Sequence, residues 1–435
     1  MTGGRPGQGR DGLMCPGPEI HRHRSWRFGQ IWEAPHRPLF LAAFLWALGT
    51  VAWWPLGNAL GLPSPPFEPA VLWHIHELLF GFAAAAVGGY VLTALPGWTS
   101  REPVQGATLK CLVLLWVAAR IATAFANSVP LPALIFANGG YFVLLAGILC
   151  HQSLSSQAYG KVGYGIAVLF LGSGELLYLT AALTGRPWVS LTIAHVSVIG
   201  FALLAVTIAG RAIPAFTRNW FYRTGRTDIK IDPAPRLRLL AQGLLVVAII
   251  SRLAGWFDLL HGALICAALV LFWIMRGWKT MAALSNPLLA ALNLAFLWLP
   301  IGLGMIGALG FLPALYPVGD ALHAITIGAM SGLIMAIAGR AASHRDGGDM
   351  TAGPGFMSGI MMVWLATWFR LIVPLFPFYG SGVLTVSAIL WCVGWAIFIA
   401  GFLPAVFGPV IRPVLSGKKY LTADSPEYRE KRSFS

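Results

Sequence analysis

The sequence predicts an all-α polytopic membrane protein with twelve transmembrane helices. Three observations carry this. Of 435 residues, 57% are apolar and 11% charged, against ~45–50% and ~25% in soluble domains. A water-soluble globule cannot hide that much apolar surface, so soluble classes are excluded. The apolar residues form twelve runs of the length a bilayer core needs, about 20 residues of helix. Finally, the chain has 30 Lys+Arg and 16 Asp+Glu, a net charge of +14, and its basic residues avoid every second loop.

Residues 1–37 are Gly/Pro-rich, polar and basic, so a disordered cytoplasmic segment with no signal peptide is expected. The runs then begin near Pro38, Val71, Ala107, Leu131, Val162, Val189, Leu237, Leu259, Pro287, Ala314, Gly355 and Gly382. They form a membrane domain over 38–413, and a polar tail fills 414–435. The boundary between the seventh and eighth runs is the weakest, because only Gly255-Trp256 separates them.

Charge tests this layout. With the N-terminus in the cytoplasm, cytoplasmic segments hold 26 of the 30 Lys+Arg and the external loops hold only Arg186. The other three, Arg120, Arg252 and Arg370, lie inside runs. Such asymmetry is the positive-inside pattern. It puts both termini inside and explains the net charge by a lipid bilayer, with no nucleic acid. Five scattered cysteines without a CxxC give no disulfide framework.

The buried arginines recur four helices apart, on helices 3, 7 and 11. The helices before them run from His76 to Pro96, from His195 to Pro214 and from His323 to Ser343, offsets of 20, 19 and 20 residues. Three repeats of four helices are therefore expected, near 38–150, 160–276 and 287–413. Repeats of this kind place sites at their interfaces.

Histidines mark where such a site would be. His74, His76, His195, His261 and His323 all fall in the first two turns or so of even-numbered helices, roughly 5–12 Å below the outer surface at 1.5 Å per residue. One histidine at a helix end is usually an interfacial polar group; four helices presenting imidazole at one depth suggest a metal or haem site. His74 and His76 point to opposite sides of their helix and serve different centres. The ligand expectation is His76 and His323 for haem iron, and His74, His195 and His261 for copper. Arg120, Arg252 and Arg370 reach the same outer half. They are expected either to pair with helix groups such as Glu175 or to hold haem propionates.

One segment is more specific: WHIHELLFGFAAAAVGGYVLTALPGWTSREPVQG, with its His-x-His-Glu and its Leu-Thr-Ala-x-Pro-x-Trp-Thr exit. It resembles the signature of the NnrS family, as do LWVAAR of helix 3, GRAIPAFTRNW of helix 6 and LHAITIGAM of helix 10. The resemblance runs from about Arg37 to helix 12. It implies a haem- and copper-containing protein of the bacterial inner membrane, linked to nitric oxide, denitrification and nitrosative stress. The histidines on helices 2, 6 and 10 are also similar, by architecture alone, to the core subunit of haem-copper oxidases. Where the family pattern places a helix 9 histidine, this chain has Asn293.

Two other classes share these features. Twelve helices with repeats equally suit a small-molecule transporter, although its ionisable residues would lie along a midplane path rather than near one face. A haem-binding sensor or accessory protein without turnover has the same signature as a redox enzyme.

Overall fold

A computed structural model describes residues 28–346, 349–376 and 378–408. Twelve helices in it are long and apolar enough to cross a membrane. They are α1 (His36–Gly57), α2 (Ala70–Thr99), α3 (Gly106–Ala124), α4 (Leu131–Ser155), α5 (Tyr159–Leu183), α6 (Pro187–Arg223), α7 (Pro235–Ala254), α8 (Phe257–Gly277), α9 (Pro287–Phe311), α10 (Val318–Ala342), α11 (Pro354–Leu375) and α12 (Gly380–Phe407). The chain is a multi-pass membrane protein.

Most starts fall within a few residues of those the hydropathy predicts. The tenth differs most: Pro313 and Pro317 hold the chain out of helix, so α10 begins at Val318 and not near Ala314. The weak boundary between α7 and α8 is decided by one glycine. Gly255 takes φ +76° and the next amide, of Trp256, bonds back to the Ser251 carbonyl at 2.9 Å, a left-handed cap that other residues adopt at a cost.

The segment before α1 corrects an expectation. Phe28–Glu33 forms a 3₁₀ turn packed against α12, and His36 and Arg37 are buried at the start of α1. Arg37 donates to the carbonyls of Gln30 and Val406. Order therefore begins before residue 37, and His36 is not a loop residue. Residues 1–27 and the expected tail 414–435 lie outside the described residues.

The helices are not equivalent. In α2, α10 and α9, 83%, 67% and 61% of the most apolar window is buried, against 22–39% elsewhere. The bundle thus has an inner set, with α6 touching both α2 and α10. It closes where α1 meets α12, the Phe44 ring lying 5.1–5.2 Å from those of Trp395, Phe398 and Phe402. Such packing holds helices together where lipid supplies no hydrophobic drive.

Two inner helices widen at related places. α2 passes into π-helical turns over Glu77–Phe82 and α10 over Ala324–Ser331, immediately after His76 and His323. Carbonyls freed by the wider turns find side-chain donors: Trp116 reaches Gly81 at 3.0 Å and Ser331 reaches Thr326 at 2.9 Å. α6 shows no such widening after His195. π-turns of this kind often mark functional sites.

Candidate cofactor site

Successive turns of α2 send His74 and His76 to different places, as their spacing requires. His74 enters a cavity of about 550 Å³, within the ~300–1,000 Å³ typical of ligand sites. His195 of α6 and His323 of α10 line the same cavity, with Arg370 of α11 and Asp320. The cavity lies at the end of the bundle where α2, α6, α10 and α12 begin and α1 and α11 finish. Its walls are mostly apolar. A break in α1 at Trp54, which leaves helical geometry just before Pro55, sets the Trp54 ring 5.1 Å from that of His74.

The three imidazoles come from three helices and surround the space instead of closing on one point. Among the described residues, no three His, Cys, Asp or Glu side chains gather around a single metal ion. His323 is oriented for coordination. Its Nδ1 lies 3.1 Å from the Gly319 carbonyl and 3.3 Å from that of Asp320. Carbonyl oxygens only accept, so Nδ1 carries the proton and Nε2 keeps a lone pair.

Arg370 pairs with Asp320 at 2.5 Å, both partly exposed. Asp320 sits one turn before His323, so the pair ties α11 to the start of α10. Tyr316, in the preceding loop, donates to the Leu371 carbonyl at 2.6 Å. Burial, helped by the Asp320 carboxylate, pushes its phenol up to about 12, which keeps it a neutral donor.

His76 takes part in a different structure. Its Nδ1 lies 2.8 Å from Glu77 and its Nε2 3.3 Å from Glu175. Arg120 bridges the same two carboxylates at 2.9 Å each and donates to Asn138 at 2.7 Å. Trp46 closes the group with a 2.5 Å bond to Glu77. Histidine, both glutamates and arginine are at most 3% exposed. A buried pair endures only when its lone pairs and protons are satisfied by such a network.

This corrects one expectation and decides another. Both His76 nitrogens face carboxylates, so neither is available to iron. Of the two partners open to Arg120, it has protein carboxylates, Glu175 among them, and not haem propionates.

The chain matches the model described as NnrS protein over residues 30–409. It belongs to the NnrS family. No curated protein matches it. Family membership makes it, in general terms, a nitric-oxide-related membrane protein.

The remaining predicted residues of this NnrS-family chain lie away from the cavity. His261 packs its ring on Phe311 at 5.7 Å and covers Gly310, where any Cβ would collide with the imidazole. Arg252 donates to Thr192 at 3.0 Å and lies over the Phe257 ring. Asn293, in the histidine position of the family pattern, is near the opposite end. It accepts from Thr280 at 3.0 Å and donates to the Leu289 carbonyl at 2.9 Å.

Sequence reasoning missed Asn138, Trp46 and Trp54. Asn138 had a readable signal, a polar amide inside an apolar run, which is costly without a partner. The two tryptophans had none, because tryptophans are frequent in this chain.

Proposed function

We propose that this chain binds haem in the cavity lined by His74, His195 and His323, and acts in nitric oxide metabolism or defence against nitrosative stress. The observation that carries the reading is three imidazoles from three helices around one mostly apolar space of about 550 Å³. Carboxylate-poor, imidazole-rich donors suit haem iron and not magnesium or calcium. His323, with Nδ1 tied to backbone carbonyls, would hold the iron through Nε2. His74 and His195 reach the cavity from other sides. Arg370 is the cation available to a propionate, already charge-paired with Asp320 at the cavity edge.

When bound, haem supplies an iron centre able to take nitric oxide. The chain's residues hold it, exclude bulk water with apolar walls, and orient His323. The copper expectation fits less well. His261 packs on Phe311 and is not among the cavity's lining residues, so the set His74, His195 and His261 is not brought together there.

The basic-residue asymmetry supports an arrangement in which the cavity opens on the extracytoplasmic side of a bacterial inner membrane. The buried cluster of His76, Glu77, Arg120 and Glu175 gives a permease reading its best support, since intramembrane ionisable groups mark transport paths. Its members are charge-paired with one another and none lines the cavity, so binding is favoured over transport.

The test is an optical spectrum and metal analysis of detergent-purified protein, before and after nitric oxide. Haem absorption that shifts with nitric oxide is expected, and its loss in His323→Ala with folding retained. Purified protein with neither haem nor a response sinks the proposal.

A further inference from the structure

A second cavity lies deeper in the bundle, between α2, α6 and α10. It measures about 80 Å³, several times the ~10–15 Å³ that one water-sized molecule needs. Ala86, Val87, Ala205, Ala329 and Ile334 are among its walls, and Tyr90 is the single polar residue. A water there would lack the two to four polar partners it requires, and such apolar walls suit apolar guests such as xenon.

One side chain stands between the deeper cavity and the first. Met330 lines both. It stands in the π-helical stretch Ala324–Ser331, where Thr326, Ile327 and Ser331 face the histidine cavity and Ile325 and Ala329 face the deeper one. The widened turn thus presents neighbouring residues to both spaces. Methionine, unbranched with three rotatable bonds, is suited to a partition that yields.

We propose that the deeper cavity binds a small uncharged diatomic gas of the nitric oxide type drawn from the bilayer, and passes it by Met330 to the histidine cavity. The passage rests on the haem reading above; the binding site does not. An apolar guest of this size loses nothing by leaving lipid for such a space. A charged or hydrogen-bonding ligand would find no partner there.

Xenon-pressurised crystals of the full chain test the site. Xenon is expected among Ala86, Ala205 and Ala329, and is expected to be lost in Ala205→Phe. The milder Ala329→Val serves if the larger side chain prevents folding. Carbon monoxide rebinding after flash photolysis tests the passage. In Ala205→Phe and Ala329→Val, which line only the deeper cavity, the bimolecular phase is expected to slow about tenfold, a barrier raised by roughly 1.4 kcal/mol, with haem per molecule unchanged. No xenon in the cavity, a lipid chain or ordered water in its place, or unaltered rebinding in both variants overturns the proposal. A chain that folds without haem refutes the proposed function instead, and xenon occupancy then decides the deeper site.

Discussion

Arg120 shows how a single residue can be read in kind while its choice of partner stays open. An arginine inside an apolar run must meet an anion, and the sequence offered both a helix carboxylate and a haem propionate. The structure supplies Glu77 and Glu175. Removing one member of a buried ionic network costs roughly 3–5 kcal/mol, because the carboxylates left behind are unpaired. Arg120→Ala is therefore expected to lower folded protein and its thermal midpoint, while haem per surviving molecule stays constant. Arg120→Lys should recover only part, since an ammonium lacks the fork that spans two carboxylates and Asn138. Measuring haem and protein separately decides the matter: a haem-poor variant of normal stability would return Arg120 to the cofactor.

At the scale of the element, helix existence was legible because each span is a long apolar run, while some boundaries were not: Pro313 and Pro317 delay α10, and Gly255 ends α7. Gly255 is the one that a substitution can test. Its φ of +76° strains a branched side chain, so Gly255→Val is expected to destabilise by about 1–2 kcal/mol. Gly262→Ala, inside α8 with open space around its Cβ, should be neutral or stabilise by up to ~1 kcal/mol. Thermal unfolding in detergent compares them, and equal losses would remove the special role of Gly255. The π-helical turns of α2 and α10 had no signal in hydropathy. Their freed carbonyls bond Trp116 of another helix and Ser331, and the first of these is a tertiary contact.

At the scale of the whole molecule, charge argues for one orientation: 26 of the 30 Lys and Arg fall in sequence segments that alternating spans would put on one side, the pattern of cytoplasmic segments. Reporter fusions at Pro65 and at Lys230 are therefore expected on opposite sides, with Pro65 external. Signals from the same side would refute the alternation of spans, and opposite signals with Pro65 internal would move the mouth of the histidine cavity to the cytoplasm. With Pro65 external, the structured 3₁₀ turn at Phe28–Glu33 and the long end of α6 would both lie inside. At 37 residues, or about 55 Å, α6 exceeds a ~30 Å core.

Composition, run length and charge placement were enough to establish a twelve-span membrane protein, and the His-x-His-Glu segment was enough to point to the family. These are local or additive properties, summed along the chain without knowing which helices touch. What the helices bring together is a different kind of information. Five histidines at one depth looked equivalent, yet three meet in a cavity, His76 faces two carboxylates and His261 covers Gly310. Depth in the bilayer follows from counting residues along a helix. Which neighbour a side chain faces depends on helix rotation and on the order of helices around the bundle, and both are set by close packing between spans.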